Sequence, residues 1–376
     1  VSLLIIWSTL SLVWWIAAWW LVKTPFPAKP RSAQTGNRLP VTLFKPLPKQ
    51  ALQQQITTEE NLCSWIRQMQ PDDEMLIGCY EADAPFWHHF SQRCQNQYPS
   101  AVVRVISHPS PHLSAPNPKI AWMKTLVEYA QNPLWLWSDV DVFAPATALA
   151  TMRNELLDNE CALLTCAYRV AETRSPAAIL DTLFVNLEFY PGAKLMARTK
   201  AIEFGFGAGM LFRRDDFEQR VNLNALGQHL ADDYQLGQQL QPVHLSSVCL
   251  STTVDIDNWR PALQHYFRWQ KTIRWNRPGG FAAQAIVMPL LGWLAAAIHQ
   301  PGNLIVWLGL LCTLSVDSIA ALTLCKLHRT RLARKAVVAI PLWSLLRPLT
   351  FLACWLPLPA VWRGEYWSRP LKDDHA

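Results

Sequence analysis

Short apolar runs separated by stretches of helical spacing dominate the middle of the chain. Val41–Leu47, Met75–Tyr80, Ala101–Ile106, Leu134–Trp137 and Ala162–Tyr168 have the length and composition of buried strands. Between them, residues 58–70, 86–97 and 120–131 carry helical patterns, with Thr58 the expected cap of the first. Such alternation predicts a parallel α/β sheet. Residues 175–200 are mixed and are read as a mobile or acceptor-facing region. Residues 205–214 combine three glycines with a short strand. Residues 228–240 predict a helix that opens on the acidic pair Asp232-Asp233, where the helix dipole favours negative charge.

The two ends follow a different pattern. Residues 3–22 are uncharged and include Trp7, Trp14, Trp15, Trp19 and Trp20. Twenty such residues as helix span ~30 Å of hydrocarbon, so a retained anchor is expected rather than a cleaved signal. Lys23, Lys29, Arg31 and Arg38 follow it, which puts the next domain on the cytosolic side. Residues 281–298 and 303–325 are each long and apolar enough to span, with Asp317 an expensive intruder in the second. Residues 337–361 are apolar but interrupted by Pro341, Pro348, Pro357 and Pro359, with Arg347 in the middle, and read as a kinked or re-entrant hairpin. Residues 258–278 mix aromatic and basic side chains as a helix lying in a membrane interface does. The expected organisation is therefore an anchor over 1–23, a linker over 24–40, an α/β domain over 41–257, an interfacial segment over 258–280, a membrane or re-entrant region over 281–361 and a tail over 362–376: a multi-pass integral membrane protein.

Composition agrees with this division. Of 376 residues 51% are hydrophobic and only 16% charged, and the deficit of charge is concentrated at the ends. The net charge of +6 lies largely beside the apolar stretches, and no zinc-finger, P-loop or other nucleic-acid motif is present, so a bilayer is the expected partner and nucleic acid is not. Nine cysteines occur without a C-x-x-C pair, which fits reduced, buried thiols.

The candidate chemistry begins at residues 134–141, Leu-Trp-Leu-Trp-Ser-Asp-Val-Asp. A buried strand there would deliver Asp139 and Asp141 to the carboxyl edge of the sheet, where open α/β folds bind ligands. Alternate residues share a face, so both carboxylates could meet one hard cation, Mg²⁺ or Mn²⁺, that in turn holds a diphosphate. The competing reading is a surface loop with two acids. The G-x-G-x-G at 205–209 does not clearly follow a strand and open a helix, so close backbone approach to a ligand suits it better than a phosphate loop. His88 and His89 are adjacent, and their side chains would diverge rather than share a metal.

Taken together, these motifs resemble the ceramide glucosyltransferase family of family 2 glycosyltransferases, including bacterial hopanoid-modifying relatives. The resemblance is carried by Val41–Leu47 with its Lys-Pro, Glu60-Asn61-Leu62, Glu81-Ala82-Asp83-Ala84-Pro85, Asn117-Pro118-Lys119, Ser138-Asp139-Val140-Asp141, Ala231-Asp232-Asp233-Tyr234, Lys271-Thr272-Ile273-Arg274-Trp275 and Trp362-Arg363-Gly364 with Tyr366. At one of these the family has Gln or Arg where this chain has Lys271, which keeps charge but loses the planar fork. The resemblance implies a GT-A catalytic domain and a UDP-sugar donor. It further implies Asp139 and Asp141 as ligands of Mg²⁺ or Mn²⁺, with Asp141 the closer. Glu81, Asp83, Lys119, Asp139, Lys271, Arg274 and Trp275 would lie against the donor, and Asp233 would be the catalytic base. One displacement with one base inverts the anomeric centre. The acceptor expected is the hydroxyl of a membrane lipid, ceramide first and a hopanoid polyol as rival. A processive polysaccharide synthase and a non-catalytic nucleotide-sugar-binding membrane protein compete with this reading.

Overall fold

A computed structural model describes residues 2–23, 39–49, 55–109, 114–199, 202–254, 256–327, 330–332, 337–362 and 365–368. Lys29, Arg31, Arg38 and nearly all of the expected linker lie outside them, as do Arg329, Arg334, Lys335, Arg363 and Gly364. The chain forms two compact units. One comprises residues 27–168 and 196–252, the other residues 1–26, 169–195 and 253–376.

The first unit is built on a seven-stranded sheet. Its strands are β1 (Val41–Pro46), β2 (Glu74–Tyr80), β3 (Val102–His108), β4 (Leu134–Trp137), β5 (Leu163–Thr165), β6 (Met210–Arg213) and β7 (Val243–Leu245), in the order β3-β2-β1-β4-β6-β5-β7. The sheet is mixed rather than wholly parallel as predicted. β6 runs antiparallel to both of its neighbours, β4 and β5. The reason lies in the connection: β6 returns from the glycine-bearing loop 202–209 instead of from a crossover helix, and a parallel pair needs such a crossover.

The central strands are buried on both faces, which explains their continuous apolar character. Alternation within β4 sorts its side chains: Leu134 and Leu136 enter one core, Trp135 and Trp137 the other. On the first face helices Gln55–Ile66, Ala84–Gln97 and Ala148–Asp158 contribute Trp65, Trp87 and Met152. On the second, Pro118–Leu126, Arg214–Arg220 and Asp232–Gln239 contribute Ile120, Phe217 and Leu236. Thr58 is not a cap, because its helix already begins at Gln55. Asp73, fully buried, accepts the amides of Val41 and Gln70 and pairs with Arg153 at 3.0 Å, fixing where β1 begins.

The second unit is helical. Residues 175–200, unassigned to an element by pattern, form helices Ile179–Leu183 and Tyr190–Arg198 joined by a π-helical turn, Phe184–Phe189. Trp259–Asn276 is a single helix. Helix Ser2–Lys23 approaches helix Pro289–His299 closely: a Cβ on Gly292 would stand 2.0 Å from Ser8 Oγ, and one on Gly309 would meet the Trp293 ring at 2.5 Å. Small residues at such crossings let helix backbones pack tightly.

Among the described residues one helix, Leu304–Thr323, is by itself long and apolar enough to cross a membrane. The expected span over 281–298 is not straight. It divides into Pro278–Val287 and Pro289–His299, bent by 66°. Pro289 disfavours helical geometry in the residue before it, and Met288 sits at φ −122°, ψ 71°. Ser2–Val13 of the first helix and the helix Ile340–Ala353 are shorter apolar stretches, and the latter carries Pro348 inside it. A hairpin of Ala360–Trp362 with Glu365–Trp367 follows.

Asp317 is buried here near Glu188 and Arg347, whose side chains pair at 3.1 Å. Tyr266 reaches the same Glu188 oxygen at 3.5 Å, and His265 Nδ1 meets Asp181 at 2.5 Å.

Candidate active site

Strand pairing around β4 ends at Trp137, which faces Phe44 on one side and Met210 on the other. The chain then leaves the sheet at its carboxyl edge. Ser138 is buried and donates to Ala208 O at 2.7 Å. Lys45, the last charged residue of β1 and fully buried, donates to Ser138 Oγ at 2.9 Å and to Asp139 O at 3.0 Å. These bonds fix the turn from which the Asp139 side chain projects, about two-fifths exposed. Asp141 accepts a hydrogen bond from Thr252 Oγ1 at 3.1 Å. Thr252 lies on a strand paired antiparallel with Val142–Phe143, which places it beside the acid.

Gly207 connects this turn to the acidic helix. Its carbonyl accepts from Asp139 N at 3.3 Å, and its own N–H donates to Asp233 Oδ2 at 3.0 Å. A Cβ at this position would lie 3.0 Å from Asp139 Oδ2, 3.3 Å from Lys119 Nζ and 3.6 Å from Asp233 Oδ2. The glycine is thus where three charged groups converge, in keeping with close backbone approach rather than a phosphate loop. Thr165, at the end of β5, holds the loop by accepting from Phe206 N at 2.7 Å. Gly237 lets helix Asp232–Gln239 press on the same loop, since a Cβ there would stand 2.4 Å from Phe204 Cα.

The Asn-Pro-Lys motif forms the start of helix Pro118–Leu126. Asn117 caps it by accepting from the amides of Lys119 and Ile120, at 2.9 and 3.3 Å. Its amide nitrogen donates to His229 O and, at 3.4 Å, to Asp232 Oδ1. Lys119 Nζ stands between two carboxylates, 2.7 Å from Asp139 Oδ1 and 3.2 Å from Asp232 Oδ2. Asp233 Oδ1 accepts from Tyr234 N at 2.8 Å.

The electrostatics follow from this packing. Burial opposes charge on Lys119, but Asp139 and Asp232 outweigh it and hold the ammonium above the usual lysine range. Burial pushes Lys45 down to about 7 against the pull of Asp139 and Asp141. Burial, and then the neighbouring Asp232, raises the Asp233 carboxyl to about 6, with Lys119 and the amides of Tyr234 and Gly207 pulling the other way. A carboxylate at that value is matched to accepting a proton near neutral pH.

Among the described residues no three His, Cys, Asp or Glu side chains gather as a ready metal cage. Asp139 and Asp141 nevertheless fit a hard cation. They are oxygen donors at a strand end, Asp139 is partly open, and Mg²⁺ at diphosphate sites is bound by one or two carboxylates with the ligand completing its shell.

Of the residues singled out by motif, Lys119, Asp139 and Asp233 come together around Gly207, with Asp141 two residues along. Glu81 and Asp83 form a short 3-10 turn at the same carboxyl edge, at the end of β2, which is separated from β4 by β1. Lys271, Arg274 and Trp275 lie in the helical unit. There the buried Lys271 donates to Cys354 O at 2.9 Å and Leu356 O at 2.5 Å, and Arg274 sits 4.8 Å from the Trp355 ring centroid. Sequence reading assigned no role to Lys45, Thr165 or Thr252, and to Asp232 only a place at the start of a helix. Only Lys45 and Asp232 carry a local signal, a lysine inside an apolar strand and an acid beside the expected base.

The model of glycosyl transferase family 21 matches residues 3–369. The match bears out the glycosyltransferase expected from the motifs, under family 21 rather than family 2. No curated protein matches the chain. Among solved structures, the chain is similar to residues 1–349 of TarS from S. aureus, at 10% identity and a TM-score of 0.35, over 87% of this chain and 96% of that one. A mycobacterial protein is similar at 10% identity and a TM-score of 0.35, over 63% and 74% respectively. Likeness at that level carries no argument about this site.

Proposed function

Because the chain belongs to glycosyl transferase family 21, and is therefore a glycosyltransferase, we propose that it moves a hexose from a UDP-sugar to the hydroxyl of a membrane lipid with inversion. The observation that carries the mechanism is Gly207, whose two ends bind the Asp139 backbone and the Asp233 carboxylate. Membership carries a nucleotide-sugar donor and an acceptor. The finer assignments rest on the geometry.

Asp233 accepts the proton of the acceptor hydroxyl as that oxygen attacks the anomeric carbon and the bond to the nucleotide diphosphate breaks. A single displacement from an α-linked donor leaves a β-linked product. Asp139 and Asp141 would hold Mg²⁺ or Mn²⁺, which when bound neutralises charge growing on the leaving diphosphate. Lys119 adds a fixed positive charge beside them. Glu81 and Asp83 sit at the strand edge where an α/β sheet receives a nucleotide base. Arg274 and Trp275 remain the motif's candidates for closing over the donor. Lys271 serves that reading less well, since two carbonyls already hold its ammonium and tie its helix to the segment at 354–356.

The lipid acceptor is supported by apolar surface. Leu3, Ile6, Leu10 and Val13 stand exposed along one face of the first helix, while Ser8 and Ser11 turn inward. Leu304, Ile305, Leu308, Leu311 and Ile319 are exposed on the long helix. Apolar surface of this extent marks contact with lipid or protein, and the positively charged, aromatic helix Trp259–Asn276 suits a headgroup layer. Ceramide is the acceptor favoured by the motif resemblance, with a hopanoid polyol next.

The test is a screen of radiolabelled UDP-sugars with the purified full chain, ceramide, hopanoid polyols and total lipid extract, with product mass determined. A β-hexosyl lipid is expected, formed by the native chain and not by Asp233→Asn. Turnover of a soluble acceptor alone, or long polymer, would overturn the lipid assignment.

A further inference from the structure

Lys119 occupies an unfavourable place unless something compensates it. It is in the first turn of its helix, where the dipole repels a cation. Its side chain is only 12% exposed, and its ammonium touches carboxylates on both sides, Asp139 Oδ1 at 2.7 Å and Asp232 Oδ2 at 3.2 Å. Asp232 is itself buried and steered by Asn117, the residue that caps the same helix. Asp139 belongs to the pair read above as metal ligands, so Lys119 and a divalent ion compete for one carboxylate.

We infer that Lys119 is a tethered cation that stands on Asp139 when no divalent ion does, and that Asp232 is the positioning residue that keeps hold of it when the ion takes Asp139. This rests on the metal reading of Asp139 and Asp141. It gives a role to the first acid of the Asp-Asp pair, which the proton transfer at Asp233 does not use. It also accounts for the link between the Asn-Pro-Lys and Asp-Asp-Tyr motifs, more than a hundred residues apart in sequence: Asn117 and Lys119 reach the same carboxylate. Losing Asp139 leaves Lys119 paired rather than stranded, so ion uptake does not bury an uncompensated charge.

The experiment measures Mn²⁺ uptake by the purified full chain in detergent, from the electron paramagnetic resonance signal of free Mn²⁺, with and without UDP. Lys119→Gln removes the competing ammonium and should bind Mn²⁺ without UDP at least about tenfold more tightly than the native chain. Asp232→Asn leaves Asp139 as the one carboxylate paired directly with Lys119 and should bind Mn²⁺ severalfold more weakly. Lys119→Arg keeps the charge and should stay near the native affinity. Asp139→Asn should lose uptake. Thermal melting of each variant checks folding, and the opposite signs expected for Lys119→Gln and Asp232→Asn keep general damage from imitating the result. Native Mn²⁺ uptake with UDP, but equal affinities for the native chain and Lys119→Gln, overturns this inference and leaves the metal reading standing. No uptake by the native chain or by Lys119→Gln, with or without UDP, overturns both.

Discussion

The buried ion pairs and the cluster at the carboxyl edge of the sheet treat charge in opposite ways. In the helical unit charges are closed off: Arg347 meets Glu188 at 3.1 Å, with both side chains nearly inaccessible. In the sheet unit Asp73 and Arg153 are closed in the same way, at 3.0 Å, but at the carboxyl edge charges stay open. Asp139 shares one oxygen with Lys119 and leaves its side chain two-fifths exposed, while Asp233 is half-buried against backbone amides. A closed pair removes the cost of placing charge in a poorly solvated interior. An open cluster retains unused lone pairs and perturbed acidity, which is what chemistry on a ligand requires. Charged residues alone therefore do not mark a site here; incompletely satisfied ones do.

The contrast can be broken most forcefully at Asp233. Asp233→Asn should lower kcat by about 10²–10⁴-fold while leaving UDP affinity within a few-fold, as measured by turnover and calorimetry. Retained turnover would mean that the open cluster is not catalytic.

Next in size is the closed pair. Arg347→Ala strands Glu188 and should cost about 3–5 kcal/mol of stability, whereas the double change Arg347→Leu with Glu188→Leu should recover most of it. Thermal melting in detergent reads both, and a double variant no better than the single would show that the pair does more than satisfy itself.

A smaller effect is expected at Gly207. An added methyl would press on Asp139 Oδ2 at 3.0 Å and move the acids by a few tenths of an ångström, so Gly207→Ala should reduce kcat/KM by about tenfold or more with little change in melting.

The smallest is a pH effect. With the Asp233 carboxyl raised to about 6, the base is protonated below that value and free above it. Turnover should therefore rise with pH and stand at about half its plateau near pH 6. Asp232→Asn removes a like charge and should move this midpoint to lower pH. A profile flat from pH 5 to 8 would separate Asp233 from the proton transfer.

The strands of the sheet unit were legible because continuous apolar runs in a doubly covered sheet have few other uses. Val41–Pro46, Glu74–Tyr80, Val102–His108 and Leu134–Trp137 fall within a residue or two of their predicted positions. The reversal of β6 was not legible, since strand direction depends on the path of the preceding loop. The span read over 281–298 shows the same limit from the other side. Its composition is that of one helix, but a single imino acid, Pro289, divides it by 66°.

By itself, then, the order of residues determined which segments are buried, which acids stand at strand and helix ends, and that charge is scarce toward the termini. These are local properties, set by side-chain transfer energies and backbone preferences over a few neighbours. Only the tertiary structure decided which of those acids share a neighbourhood. Lys119, Asp139, Gly207 and Asp232 meet because four separate segments end at one edge of the sheet, and Coulomb interaction depends on distance through space rather than along the chain. The same applies to Arg347 and Glu188, whose closure depends on a packing that no short stretch of either helix specifies.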